Sequence, residues 1–270
     1  MKWGLACKPK VRKVSSVAKE IYKFLSIDDE VFVEDSFSKE LGIKGYLLDE
    51  INKKVDMVVT VGGDGTILRA IQSIEKPIFA INSGGMGFLS EVESKYAIEG
   101  LKKIKDRKYN VEERAKLKVL INSKRLPDAA NEVTVQTAKI AKILYLQLFV
   151  ENELLEMLGA DGIIVATPTG STSYALSVGG PIMDPSVNAM VVAPLAPFKL
   201  SARPWIIPLD KKIGIKLMPK SKETRLVIDG YHTEDVTIRN KIIITGSEKK
   251  ARFVRFGESF YQMVRSKLVR

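Results

Sequence analysis

The 270-residue chain contains one cysteine, Cys7, and one histidine, His232. A single thiol excludes an internal disulfide and a cysteine-rich zinc site. His232 falls in a polar stretch that reads as a turn and is expected at the surface. Long apolar runs are also missing: none approaches the roughly 18 residues that a membrane helix needs. The opening Met1-Lys2-Trp3-Gly4-Leu5-Ala6-Cys7-Lys8 is interrupted by charge before a signal-peptide core forms. These absences together point to a cytoplasmic protein with no membrane partner.

The composition that remains, 45% hydrophobic and 28% charged residues, is that of a globular protein, so disorder is not expected. The length is large for one compact unit and comfortable for two. The formal net charge is +11, from 43 Lys and Arg against 32 Asp and Glu, which favours anionic partners such as nucleic acid, acidic lipid or a polyphosphate. Most basic residues are scattered as on a solvated surface, with one local cluster at Lys249, Lys250, Arg252 and Arg255. Charge alone does not choose the partner.

Residues Lys2 to Cys7 read as a short buried strand, and Val14, Val17, Ala18, Ile21, Tyr22 and Leu25 recur at helical spacing through 12–25. Val31 to Val33 form a second short strand. Val55 to Val61 form a buried strand that runs directly into Gly62-Gly63-Asp64-Gly65-Thr66, with helical periodicity from Ile67 to Ile74. Pro77 to Asn82 form another strand, ending in a second glycine loop, Ser83-Gly84-Gly85-Met86-Gly87. This alternation predicts a mostly parallel α/β domain over residues 1–105. Beyond it, 117–121, 132–137, 142–150, 162–166, 191–193, 212–217, 225–228, 241–245 and 252–255 all read as strands. They predict a β-rich domain over 106–255. Phe260, Met263, Val264 and Leu268 predict a closing helix within 256–270, free to return to the first domain.

Gly62-Gly63-Asp64-Gly65-Thr66 carries the strongest chemical signal. Glycines let the backbone turn tightly and approach a phosphate with no Cβ in the way. Successive amides and the following helix N-terminus then suit an anion. A tight turn capped by Asp64 is the plainer reading, and the pattern lacks the lysine of a P-loop. The second signal runs from Asp161 through Gly162-Ile163-Ile164-Val165-Ala166 into Thr167-Pro168-Thr169-Gly170-Ser171-Thr172-Ser173-Tyr174. Any one of these hydroxyls reads as a helix cap. Their density exceeds what a cap requires and suits a ligand rich in hydroxyls and phosphates. Tyr174 either stacks on a base or packs. Asn131-Glu132, opening a strand, matters only in combination with these.

Together these residues resemble the NAD kinase family. Gly62–Thr66 matches its GGDGT motif and Asn131-Glu132 its Asn-Glu/Asp motif. Thr167–Tyr174 matches its TPTGSTAY-type segment, with Ser173 in place of the usual alanine. Asn82–Leu89 (NSGGMGFL) is similar to its second glycine loop. Gly179-Gly180-Pro181-Ile182, Arg203-Pro204 and Asp229-Gly230 follow in the expected order. The likeness spans about residues 56–230.

The resemblance implies an N-terminal α/β domain, a β-rich C-terminal domain and a NAD site between them. It implies phosphoryl transfer from ATP or polyphosphate to the adenosine-ribose 2′-hydroxyl of NAD, giving NADP. Asp64 would engage that hydroxyl as general base or orienting group, and Gly62, Gly63, Gly65 and Thr66 would form the donor-phosphate loop. Gly65, Leu68 and Phe88 would line the adenine-ribose side. Asn131 and Glu132 would bind NAD, with Glu132 an acceptor for ribose hydroxyls. Thr169, Thr172, Ser173, Tyr174, Ala175, Leu176 and Ser177 would flank the dinucleotide, and Asp161 its opposite portion. Lys142 and Ala196 occupy ligand-contacting positions of relatives. Mg²⁺ or another divalent cation would arrive with the nucleotide rather than in a protein cage. A homodimer or homotetramer is implied, with no nucleic acid partner. Free aspartate titrates at about 3.9, so orienting the hydroxyl matters as much as taking its proton unless the site raises that value. Two positions depart from the pattern: Phe198 stands where many relatives have histidine, and Tyr231 where many have glutamine.

Diacylglycerol- and sphingosine-type lipid kinases and phosphofructokinases share a GGDG-like turn, but lack Thr167–Tyr174 paired with Asn131-Glu132. A basic nucleic-acid-binding protein would suit the charge, yet no zinc-finger, helix-turn-helix or RNA-binding aromatic signature is present. A non-catalytic NAD sensor on the same scaffold is a third reading, and the intact Asp64 argues against it.

Overall fold

A computed structural model of the chain describes residues 1–8, 11–84, 87–221, 223–257 and 259–268. It divides into two compact units, Met1–Glu113 with Ala251–Arg270, and Arg114–Lys250. The boundaries fall inside two strands, Asn110–Ile121 and Ile242–Arg255.

The first unit is a parallel sheet in the order Gly45–Tyr46, Glu30–Glu34, Lys2–Cys7, Met57–Gly62, Ile78–Asn82. Val92–Glu93 and Phe253 add parallel pairing at Ile78–Asn82. Met57–Gly62 is buried at every position, as expected of a parallel strand covered on both faces. The helix Arg12–Leu25 buries Val14, Ala18, Ile21 and Leu25, one stripe at helical spacing. Close packing requires glycine at position 4, where a Cβ would sit 2.6 Å from Ile51 of the helix Leu48–Lys54. Trp3, Leu5, Phe37, Phe79 and Val254 belong to its core. The closing helix Phe260–Leu268 lies in this unit.

The sequence reading does not include three helices, Asp35–Leu41, Leu48–Lys54 and Ala97–Lys105, although the last buries Ala97, Leu101 and Ile104 at helical spacing. The first two make barely two turns and bury only Phe37 with Ser38, and Ile51, so no period develops. The motif helix begins earlier than its apolar pattern suggests, spanning Asp64–Ile71, so Asp64 stands in its first turn rather than in the loop before it.

The second unit is antiparallel and β-rich. One sheet orders Trp205–Pro208, Ala189–Leu195, Gly162–Ala166, Glu132–Thr137, Thr224–Ile228 and His232–Val236. Another set runs Glu153–Ala160, Leu144–Val150, Ile213–Leu217 and the Ile242–Ile244 stretch. Leu146 and Leu148 share one core with Ile163, Val165 and Leu226, so inner faces of both sets meet. Ile164 and Ala166 point the other way, into a second cluster with Ala175, Met183 and Val191. The strand Gly162–Ala166 is therefore buried on both faces.

Glu153–Ala160, Trp205–Pro208 and His232–Val236 were not read as strands. Each lies at a sheet edge with half or more of its residues only partly covered, which erases the alternation. His232 opens the last of these rather than sitting in a turn, and its ring lies 3.2 Å from Glu234. The stretches 241–245 and 252–255 are one continuous strand, Ile242–Arg255. Two arginines of the expected basic cluster are paired, Arg252 with Glu113 and Arg255 with Glu112 and Glu91. No helix among the described residues is long and apolar enough to cross a membrane.

Candidate active site

In the first unit, the strands Met57–Gly62 and Ile78–Asn82 end side by side, with Gly62 opposite Asn82. Their carboxyl ends carry the two glycine loops, the place where open α/β sheets gather ligands. Ser83 donates its N–H to the Gly62 carbonyl at 3.2 Å, tying one loop to the other. Gly63 is the N-cap of the motif helix, and no side chain caps it. That leaves the helix start open to an anion. Glycine is required at 62, where a Cβ would overlap the Thr66 side chain. Gly65 is exposed, Thr66 and Leu68 are buried, and Phe88 is half-buried. Gly85 and Met86 of the second loop lie outside the described residues.

The Asp64 carboxylate accepts the Phe88 N–H at 2.7 Å and the Leu89 N–H at 3.3 Å. A Cβ on Gly87 would lie 2.7 Å from Asp64 Oδ1, so that approach exists only because residue 87 is glycine. On the other side of the helix, Arg69 makes a bidentate ion pair with the buried Glu34 and donates to the Cys7 carbonyl. The helix is thereby fastened to the ends of the strands Lys2–Cys7 and Glu30–Glu34.

In the second unit, Asn131-Glu132 is organised by a residue from far along the chain. Asp229, with φ +48°, turns back after the strand Thr224–Ile228. Its carboxylate accepts the N–H groups of Ala130, Asn131 and Glu132 at 2.7, 2.8 and 3.0 Å. Thr167 grips the same segment, its hydroxyl donating to the Ala130 carbonyl at 2.6 Å and its N–H to the Asn131 carbonyl at 2.8 Å. Gly170 packs so closely on Asn131 that a Cβ would overlap the Asn131 carbonyl.

The hydroxyl-rich segment turns as a short 3-10 helix, Thr169–Thr172, followed by Tyr174–Ser177. Several of its hydroxyls serve the turn itself: Ser171 donates to the Pro168 carbonyl and accepts the Met183 N–H, and Thr172 donates to the Thr169 carbonyl. Ser173 and Leu176 are partly exposed, and Tyr174 and Ser177 are exposed. Ala175, expected to flank the ligand, is instead fully buried in the core against the outer face of Gly162–Ala166. Its methyl group is structural.

Among the described residues of this unit, two buried side-chain acceptors lack donors. Asn131 Oδ1 and Glu132 Oε2 are buried with no hydrogen-bond partner. Burial pushes the Glu132 carboxyl up to about 7; the nearby Asp229 charge adds to this, while Ser173 and the Tyr174 amide pull the other way. Burial also raises Asp229, against the three amides that favour its charge. A buried acceptor without a donor costs about 1–3 kcal/mol, so such a pair suits a ligand that brings hydroxyl or amide hydrogens.

The remaining expected residues lie elsewhere in this unit. Asp161 pairs through its N–H with the Leu195 carbonyl, which puts it beside Ala196, at the end of Gly162–Ala166 away from Glu132. Five residues of strand rise separate Asp161 from the Glu132 end, roughly 17 Å. Lys142 is exposed ahead of the strand Leu144–Val150. Phe198 and Tyr231, the two departures, are both exposed. No group of three or more potential metal ligands occurs among the described residues.

A glycine-lined helix start beside a clamped carboxylate, with donor-seeking buried acceptors in a second unit, suits a phosphotransferase that handles nucleotides. Comparison makes this specific. The ATP-NAD kinase N-terminal domain model matches residues 3–109 and the ATP-NAD kinase C-terminal domain model residues 130–256. The chain is 41% identical over 274 residues to the NAD kinase of Methanothermobacter thermautotrophicus, covering 100% of this chain and 96% of that one. Among solved structures, the Archaeoglobus fulgidus NAD kinase in complex with ATP aligns with TM-score 0.82 at 29% identity, over 98% and 99% of the two chains. Yeast NADH kinase complexed with NADH aligns with TM-score 0.92 over 98% and 86%; at 24% identity this speaks for the fold. The chain belongs to the NAD kinase family, and its class of activity is phosphoryl transfer to NAD.

Proposed function

We propose that the protein transfers the γ-phosphoryl group of ATP to the adenosine-ribose 2′-hydroxyl of NAD, with the ribose hydroxyls received by Asn131 and Glu132. The observation that carries this reading is the pair of buried, partnerless oxygens Asn131 Oδ1 and Glu132 Oε2. Ribose hydroxyls are donors of the kind those atoms lack. Thr169, Thr172, Ser173, Tyr174, Leu176 and Ser177 flank the dinucleotide in this reading, with Asp161, Ala196 and Lys142 toward its other portion. Leu68 and Phe88 line the adenosine side.

Asp64 orients the reacting hydroxyl or takes its proton. Its carboxylate is held by the Phe88 and Leu89 amides, which suits an orienting role. Gly62, Gly63, Gly65 and Thr66 receive the donor phosphates at the uncapped helix start. Phosphoryl transfer asks the protein mainly for position and charge neutralisation. Mg²⁺ enters as the magnesium complex of the nucleotide substrate. The buried thiol of Cys7, pushed up to about 12 by burial with Glu34 adding, is inert and suits a reducing, cytoplasmic setting. A homodimer or homotetramer would cover the exposed Ile140, Phe198 and Leu200, and light scattering gives the mass directly.

The test is incubation with NAD, ATP and Mg²⁺, with NADP read by an NADP-specific dehydrogenase and Asp64→Asn run beside wild type. NADP from wild type and a loss of at least about 10²-fold in the variant is expected. NADP only with polyphosphate would correct the donor, and parallel reactions with NADH would define the acceptor. Measurable NAD binding with no NADP from any donor would leave a sensor rather than a kinase.

A further inference from the structure

The closing helix reaches the residue that holds Asp64. Phe260–Leu268 starts with a reciprocal cap, in which the Ser259 N–H donates to Gln262 Oε1 and the Gln262 N–H to Ser259 Oγ. Among its described residues only Met263 is buried, so apolar packing anchors it weakly. Near its other end, the Lys267 ammonium donates to the Gly87 carbonyl and lies 5.3 Å from the centre of the Phe88 ring. Gly87 and Phe88 are the residues that meet Asp64: one makes room for Oδ1 by lacking a Cβ, and the other donates its N–H to Oδ2.

We propose that Lys267 is a positioning residue for phosphoryl transfer, fixing the Gly87–Leu89 backbone so that its amides aim the Asp64 carboxylate at the acceptor hydroxyl. The two contacts act on opposite sides of one peptide unit. Lys267 fixes the carbonyl of Gly87, and because the peptide is planar this also fixes the Phe88 N–H that Asp64 accepts. The route runs from ammonium to carbonyl to amide to carboxylate, within one unit of the fold. A lysine 180 positions beyond Gly87 thus sets the aim of the motif carboxylate. The inference rests on Asp64 acting on the acceptor.

The test compares Lys267→Met, Lys267→Arg and Asp64→Asn with wild type for kcat, the NAD dissociation constant and the thermal midpoint. Misaiming a reacting group by about 1 Å costs about 10²-fold. Lys267→Met is therefore expected to lose about 10- to 100-fold in kcat. NAD binding should fall by much less than the rate, because among the residues assigned to NAD only Phe88 touches Lys267 while Asn131 and Glu132 do not, and the midpoint should stay within a few degrees because the core is not touched. Lys267→Arg keeps a cationic donor and should recover most of the rate. The proposal is overturned if Lys267→Met keeps kcat within about twofold. It is equally overturned if the rate, NAD affinity and midpoint fall together, or if arginine recovers nothing. Full activity in Asp64→Asn would instead remove the reading of Asp64, an outcome distinct from a silent Lys267.

Discussion

Replacing Glu132 by glutamine should stabilise the free protein and weaken its hold on NAD. Glu132 is 9% exposed, and one of its oxygens has no donor. Its carboxyl is pushed from the usual 4.5 up to about 7, first by burial and then by the Asp229 charge. Between those two values the folded protein keeps a proton that the unfolded chain has released, so stability falls as pH rises through this window. Below 4.5 both states are protonated and nothing is lost; above about 7 the whole penalty stands. At 1.36 kcal/mol per pH unit the penalty amounts to about 3 kcal/mol. Glutamine has nearly the same shape and no charge. At pH 8, Glu132→Gln should therefore unfold roughly 10 °C higher than wild type, and the two should converge near pH 4.5.

NAD should act in the opposite sense. Hydroxyl donors favour the ionised form, so binding releases the proton and NAD affinity in wild type should rise by up to about tenfold per pH unit below pH 7. In Glu132→Gln that slope should vanish, and the midpoint gain on adding NAD should shrink. Thermal unfolding at pH 5, 6, 7 and 8, with and without NAD, reads both effects. Equal pH slopes in the two proteins, or a less stable variant at pH 8, would refute the argument that an incompletely compensated buried carboxylate sits in the ligand-free protein.

Two other substitutions probe the first unit. Gly87→Ala places a Cβ 2.7 Å from Asp64 Oδ1, so the carboxylate must move; kcat should fall about 10²-fold with the thermal midpoint nearly unchanged, and steady-state assay with calorimetry checks both. Arg69→Met leaves the buried Glu34 carboxylate without its bidentate partner and should cost about 3 kcal/mol in urea unfolding. The double variant Glu34→Gln/Arg69→Met should recover part of that loss, and failure to recover any would mean the pair is not what Arg69 contributes.

What could be read from the chain in advance is what lies close together in it. Met57–Gly62 is apolar but for Thr60 and ends in glycine, so strand, loop and helix follow one another within fifteen residues or so. Asn131-Glu132 and Thr167–Tyr174 stand out for the same reason, as local strings with unusual composition. Residues defined by partners elsewhere were not legible. Asp229 stands out only as part of the family pattern, with no role attached, yet it holds amides 97 to 99 positions away. Ala175 directly follows the hydroxyl-rich string and shares its apparent purpose, but the sheet claims it because Ile164 and Ala166 need cover on that face. Edge strands and the helices Asp35–Leu41 and Leu48–Lys54 escaped because periodicity needs a continuous buried face, and they have none.

The same distinction explains why Asn131-Glu132 alone carries little weight as a motif. Nothing in a two-residue string says that its oxygens will be buried. Burial comes from Thr167 and Gly170 closing on one side and from Asp229 on the other. Asp229 does two things at once: it satisfies three amides that would otherwise be stranded, and its charge lifts Glu132 toward neutrality. A lysine in place of Asp229 would relieve Glu132 but could not accept those amides. The backbone therefore requires an acceptor beside Glu132, and an ionised acceptor there raises the proton affinity of Glu132, so an incoming hydroxyl donor must displace that proton. The strain on Glu132 follows from the way its strand is held, and a hydroxyl-bearing ligand is what relieves it.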